Sequence, residues 1–558
     1  MTFRSESLAV LAAGAVVALA ACTEEKPIAP VLPGCPTGVT TAVSLALGAY
    51  LSVDPTTDSG CVVFPGNGTG DTVAYLVIGQ SAGGTPGDST SFEISSAQAT
   101  AQAIAPLAAV RLPELRGLSG RAGARGPLAR RFDEGLRIRE RAALRSRAAA
   151  PAAAGPIPRT ITPPVVGSMR TFQVCADYYC DTFKSVVAQA QAVGADVAIY
   201  VDTAAPAGGF DSAGYDSLEQ AFDAHVFTVD TTAFGGVSDV DSNGVVIVLM
   251  TNTINQLVSS AECESGGYVA GFFFPGDLDP AARTQYNDGE LFYTIVPDPG
   301  GLLSCPHPTS DLEAILPSTF AHELQHMISF NQHVLLRGGA EEDLWLDESL
   351  SSLGEELSAR SYLPDTTSFV NGIFGDLYDA YYYYLAPPDH FLLQTADTVL
   401  PDFGAGWLYV RYLVDQFGAG LTRSLEQTTL TGTGNVAAQT GVPFATLSAR
   451  WALANYVSDL PGFTPAPELQ YTSWSFRGVY ESLYLQDPYD FPVAFPLQPT
   501  VSGPGSVGVR GELGAGSAAY VGVVQSPHSN GFSLLFRANA TALITTDVVP
   551  RLTILRIR

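Results

Sequence analysis

Short apolar runs broken by Gly, Pro, Ser, Thr and Asp turns fill residues 35–105, and the same texture returns after Pro461. Residues 72–78 and 91–94 in the first stretch, and 518–524 and 552–557 in the second, have the length and β-branched content of strands. The pattern predicts two β-rich units, at 35–105 and 461–558. Between them, 196–202, 245–250 and 290–296 read as buried strands. Residues 182–193 carry Phe183, Val186, Val187, Ala190 and Val193 at helical spacing, and 218–225 is a second helical stretch. Helical patterns dominate from Pro317 to about Val457. Residues 106–165 differ from everything around them. A helix is possible over 133–149, and the remainder, rich in Ala, Gly and Pro, reads as a linker.

Charge narrows what such a chain does. The 28 Lys+Arg are outnumbered by 55 Asp+Glu, for a net charge of −27. A surface this acidic lacks the cationic footprint that nucleic-acid phosphate demands, so no nucleic-acid partner is expected. The basic exception lies inside 106–165. Residues 111–147 hold eleven arginines against Glu114, Asp133, Glu134 and Glu140, an excess of seven that leaves −34 for the rest of the chain. That stretch fits a solvated linker, a basic arm lying on the acidic body, or a protease-sensitive junction between a pro-region and a mature enzyme.

Arg4 precedes an apolar run over 8–21, long enough for a signal-peptide core and short for a membrane span. It ends in Leu19-Ala20-Ala21-Cys22, which resembles the bacterial lipobox, where the cysteine is acylated and the chain is cut before it. Residues 1–22 then form a lipoprotein signal and 23–34 a polar tether. The lipid on Cys22 is the expected membrane contact. Thr23 rather than Asp follows the cysteine, so the expected location is the cell envelope, at an outer membrane. Proximity pairs the other six cysteines as Cys35 with Cys61, Cys175 with Cys180 and Cys263 with Cys305, in keeping with export.

The candidate chemistry sits in His322-Glu323-Leu324-Gln325-His326. On a helix, residues four apart share a face, so both imidazoles can reach one zinc ion. Glu323 projects about 100° round from His322, beside the metal, where it can take a proton from a bound water. A chance match in a chain of this composition is on the order of one in a few hundred. Pro317 and Ser318 suit a helix start, and Phe320, Leu324, Met327, Ile328 and Phe330 supply its buried face. Two histidines need a third protein ligand, with one position left for water. Leu346, Leu350, Leu353 and Leu357 mark a second amphipathic helix that carries Glu348. Glu348 is the expected ligand, and Asp347, Glu355 and Glu356 compete with it.

HExxH followed by Trp345-Leu-Asp-Glu348-Ser-Leu-Ser351 resembles the gluzincin clan of zinc metallopeptidases, and within that clan the hyicolysin-like peptidases. Residues 234–249, 267–273 and 402–418 add to the likeness, which covers roughly 165–460. The resemblance implies a multidomain chain: an α+β zincin-like metallopeptidase domain at 166–460, flanked by N- and C-terminal β-rich, sandwich-like domains. It implies Zn2+ held by His322, His326 and Glu348, with Glu323 as general base and a peptide or protein as substrate. Many thermolysin-type members carry Asp four residues after the ligand Glu, to bond a zinc-bound histidine. That position is Ser352 here, so Asp347, Glu355 or a backbone carbonyl must serve. A donor to the oxyanion would come from His390, Tyr384, Tyr409 or Tyr412. Asp239-Val-Asp241-Ser-Asn243-Gly244 matches the first half of a Ca2+ loop, but Met250 stands where the closing Glu belongs, which favours a polar turn. The competing reading is a surface binding or adhesion lipoprotein with a non-catalytic metallopeptidase-like domain. The presence of Glu323 argues for the enzyme.

Overall fold

The computed structural model describes Cys35 and residues 41–57, 60–96, 105–106, 126–147, 162–279, 282, 285–395, 399–539 and 541–558. The lipobox, Cys22 and the tether lie outside these residues. Six strands come first: β1 (Thr41–Ala42), β2 (Tyr50–Val53), β3 (Cys61–Phe64), β4 (Val73–Ser81), β5 (Ser89–Ser96) and β6 (Ala105–Pro106). The helix α1 (Pro127–Arg147) follows.

The body is built on β7 (Met169–Cys175), β8 (Phe183–Val193), β9 (Val197–Asp202), β10 (Val246–Met250), β11 (Gly271–Phe273) and β12 (Leu291–Thr294), in the order β11-β12-β10-β9-β8-β7. Strands β9, β10 and β12 run parallel and are buried throughout, as both-face coverage requires. The short strand β11 runs antiparallel to β12 and forms one edge of the sheet.

Residues 183–193, expected as a helix, form β8 instead. Val186, Ala188, Ala190 and Ala192 point inward while Val187 is 44% exposed, a period of two. Alanine, an apolar residue and a strong helix former, hid that alternation in the sequence, and pairing with both β7 and β9 overrides the local preference.

Five long helices follow, of which α2 lies on β11: α2 (Thr309–Phe330), α3 (Leu344–Ser361), α4 (Thr366–Leu385), α5 (Leu400–Phe417) and α6 (Phe444–Val457). α2 starts at Thr309, and Pro317 lies inside it, contrary to the expected start there. Proline removes one helical N–H, and the hydroxyls of Ser318 and Thr319 donate to the Ile315 carbonyl at 2.9 and 3.2 Å. α5 lies directly against α3 and α4. A Cβ on Gly406 would fall 2.3 Å from Ser349 Oγ, and one on Gly404 2.3 Å from the Asp379 carbonyl carbon.

The strands β13 (Thr500–Ser502), β14 (Gly508–Gly514), β15 (Ala518–Gln525), β16 (Phe532–Arg537) and β17 (Pro550–Arg556) end the chain. They do not make a domain of their own, and neither do β1 to β6. One sheet runs β1-β3-β16-β5-β14-β6 and the other β13-β15-β4-β17-β2. β4 lies between β15 and β17, and β5 between β16 and β14, all antiparallel. The two expected flanking domains are therefore one sandwich, with Val77, Ile94, Val521, Phe536 and Ile554 in its core. Its outer face docks on the body through Leu76, Ile78 and Tyr520, whose hydroxyl donates to the Ala452 carbonyl at 2.9 Å. Residues 461–497, assigned by pattern to the C-terminal β unit, belong to the body, where Tyr471, Phe476, Tyr480 and Phe491 are buried.

The segment 106–165 is more than a linker, since α1 packs on the body with Phe132 and Leu136 buried. All three proposed cysteine pairs are joined. No helix among the described residues is long and apolar enough to cross a membrane.

Ile94→Ala in β5 and Phe536→Ala in β16 should lower the same unfolding transition, each by roughly 2–5 kcal/mol. Two separable calorimetric transitions, each moved by one substitution, would mean two domains.

Candidate metal centre

α2 and α3 bring three ligating side chains to one point. His322 and His326 are one helical turn apart, with Nε2 atoms separated by 3.1 Å. Glu348 places Oε2 3.5 Å from His322 Nε2 and Oε1 3.7 Å from His326 Nε2. All three residues are buried. Donor atoms at about 2.0–2.1 Å from a tetrahedral zinc stand about 3.3 Å from one another, so the spacing suits that ion.

The carboxylates around the two rings suit the same ion. His322 Nδ1 lies 2.9 Å from Glu355 Oε1, and His326 Nδ1 lies 3.2 Å from Asp347 Oδ2. A carboxylate at Nδ1 keeps the proton there and leaves Nε2 as a lone-pair donor to a metal. The two Nε2 atoms then face each other, with Ser351 Oγ 3.3 Å from that of His326, and both oxygens of Glu348 are buried without a hydrogen-bond partner. Two imidazole nitrogens and a buried carboxylate placed this way could hold a cation between them, and the N2O set suits zinc.

The acceptors that the sequence left open are therefore Glu355 and Asp347. Burial opposes the charged form of Asp347, yet His326, Arg137 and Arg141 hold its carboxyl down to about 2. Burial likewise opposes ionised Glu348, and His326 and His322 hold it down to about 2. Burial works against a charged His322, but Glu348 and Glu355 outweigh it and keep that imidazole well above its ordinary range. A proton thus competes with a metal for the same nitrogen.

Glu356, the remaining competitor, has another task. It accepts from Trp407 Nε1 at 2.9 Å, Trp474 Nε1 at 2.8 Å and Arg360 Nε at 2.7 Å, tying α3 to α5 and to the chain beyond α6.

Glu323 is 3% exposed, and its Oε2 accepts the backbone N–H of Phe273 in β11 at 2.7 Å. α2 can lie this close because a Cβ on Gly271 would fall 2.7 Å from the Tyr293 carbonyl and 2.9 Å from Thr319 Cγ2. A cavity of about 70 Å³ opens between His322, Glu323, Glu355, Gly271 and Asn371. A second, of about 320 Å³, shares Glu355 and Asn371 and is bounded by Leu218, Pro317 and Tyr362.

The four oxyanion candidates are elsewhere, and none lines the cavity beside His322. His390 Nδ1 lies 3.2 Å from Asp402 Oδ1. The hydroxyls of Tyr384 and Tyr412 donate to Asn455 Oδ1 and the Glu468 carbonyl, and Tyr409 packs against Trp451. These aromatic rings form the core between α4, α5 and α6, which the sequence alone could not distinguish from a substrate wall. Sequence reasoning missed Asn371 and Asp133, which both line the cavity. The available signal for Asp133 was the pair Phe132 and Leu136, four apart on a helix within a segment read as mostly linker.

Asp239-Val-Asp241-Ser-Asn243-Gly244 forms a turn in which the N–H groups of Asn243, Gly244 and Val245 donate to Asp241, Asp239 and Asn243 side chains. Arg170 stands 3.3 Å from Asp241, and Met250 lies in β10. Glu290 approaches Asp239 and Asp241 from the sheet, and burial, with Asp241 adding to it, pushes its carboxyl up to about 7.

No family model matches the chain. Over 169 residues it is 30% identical to the neutral metalloprotease ShpI of Staphylococcus hyicus, a stretch covering 28% of this chain and 35% of that protein. The chain therefore spans about a third of the length of the curated relative it matches.

Asp347→Asn and Glu355→Gln should each weaken zinc binding roughly 10–100-fold, read by chelator competition. Wild-type affinity in both would mean that these carboxylates do not orient the imidazoles.

Proposed function

We propose that this chain is a zinc-dependent endopeptidase. His322, His326 and Glu348 hold the metal, and Glu323 moves the proton. The observation that carries this reading is the pair of imidazoles, each beside a carboxylate at Nδ1, whose Nε2 atoms converge with the buried carboxylate of Glu348. The 30% identity to a neutral metalloprotease supports the same class.

Zinc bound there would acidify a water and polarise a peptide carbonyl. Glu323, adjacent in sequence to His322 and lining the same cavity, accepts the water proton and returns it to the leaving amine. β11 is an edge strand, so an extended peptide could add to its outer side by backbone hydrogen bonds once Arg137, which now donates to the Phe273 carbonyl, is displaced. The 320 Å³ cavity next to Glu355 is large enough to take a substrate side chain. We further propose that the protein is exported and held at the cell envelope by lipid on Cys22. Three cysteine pairs fit an oxidising compartment.

Glu323→Gln should keep one zinc per chain and lose roughly 10²–10⁴-fold in casein hydrolysis. Hydrolysis at the wild-type rate would remove Glu323 from the mechanism. Glu348→Ala should lose most of the zinc, and full metal content would assign the third ligand elsewhere. Cys22→Ala should leave the membrane fraction, and continued sedimentation with membranes would exclude the lipid anchor.

A further inference from the structure

Three cavities abut α1, and the helix forms one wall of each. Ala129 and Asp133 close the space of about 70 Å³ beside His322 and Glu323. Arg137 and Glu140 close about 10 Å³ beside His326 and Asp347. Leu136 and Arg139 close about 180 Å³ against Phe274, Tyr286 and Phe330. The body contributes Ala270 and Gly271 to the first and Phe274 to the last, so the edge strand β11 lies between them. These spaces are the remnants of one groove along β11, divided by an inserted helix.

What remains of the groove is too small for substrate. A ligand site usually offers about 300 Å³ or more. The 70 Å³ next to His322 has room for a few waters. The backbone groups that an added strand would use are also engaged. The N–H of Phe273 donates to Glu323 Oε2 at 2.7 Å, and its carbonyl accepts from Arg137 Nη2 at 2.8 Å.

The buried face of α1 suits a polar cleft better than a core. Phe132 packs on Phe272 and Tyr178, with centroids 4.8 and 5.7 Å away, and Leu136 is buried beside it. Among these anchors, Glu134, Arg137 and Glu140 are also buried, and Arg137 pairs with Glu140 at 2.8 Å. Asp133 Oδ1 has no hydrogen-bond partner, and its carboxylate feels the charges of Glu323, Glu348 and His322. Asp133 thus faces the candidate metal centre from α1.

We infer that α1 is a built-in inhibitor: it occupies the groove in which a peptide would lie, and turnover requires that it leave. The inference rests on the peptidase reading of the site. Charge supports a separable segment, because residues 111–147 at +7 are drawn to a remaining chain at −34 by an attraction that salt weakens.

The test uses the full zinc-loaded chain and a peptide hydroxamate, which reports access to the metal without turnover. Wild type, the Phe132→Ser/Leu136→Ser double variant and trypsin-nicked wild type are compared. Amide exchange over 127–140 reports whether α1 is docked, and mass spectrometry reports whether it has been excised. Hydroxamate binding should tighten roughly tenfold or more, and casein hydrolysis rise with it, once α1 is undocked or gone. Unchanged affinity and hydrolysis with α1 released and zinc retained would overturn the inhibition and leave the peptidase reading standing. Tight binding and rapid hydrolysis by intact wild type, with α1 still protected from exchange, would overturn it directly, even if the double variant fails to fold. No zinc in any form would overturn both readings.

Discussion

Two imidazoles can aim their lone pairs at one point only if something fixes their other nitrogens. Glu355 and Asp347 do this for His322 and His326, at 2.9 and 3.2 Å, and the whole site depends on it. Both carboxylates come from α3, the helix that also supplies Glu348. The placement of α3 on α2 therefore sets ligand, ring orientation and tautomer together. That placement is enforced from behind, where Gly406 of α5 lets its backbone approach Ser349 of α3 and Glu356 is anchored by two indoles and Arg360. A buried acid with this many donors serves as a structural pin, which separates Glu356 from the candidate ligand Glu348.

Local spacing made much of the site legible. His322, Glu323 and His326 are specified by helical geometry within five residues, and Glu348 by an amphipathic helix close downstream. Their convergence is as expected, and so are the three cysteine pairs. The partners of the Nδ1 atoms were left among three alternatives, because a single missing Asp at 352 can be replaced from either side along the helix. The oxyanion candidates failed for a different reason. Buried tyrosines of the core and tyrosines of a cleft have the same composition, and only packing separates them.

The fold was legible where it is local and illegible where it is not. Individual strands of the sandwich stand out in sequence, but β4 meets β15 and β17 across more than four hundred residues, and nothing in a strand names so distant a partner. β8 was misread because alanine serves a helix face and a pleated sheet equally well at the level of hydropathy. α1 was legible as a helix and not as a component of the cleft. Its inward charges look solvated until the groove that receives them is known.

The shared sandwich also decides what a break in the backbone would do. β2, β3, β4, β5 and β6 each pair with at least one strand from the C-terminal end, and none of the three disulfides crosses from residues before 106 to residues after 165. Severing the connection between them would convert one polypeptide into a noncovalent heterodimer of its own two parts, clasped by the pairing of these five strands with β14, β15, β16 and β17. The N-terminal half would stay with the body as a bound subunit, and anything attached to it would still hold the body in place.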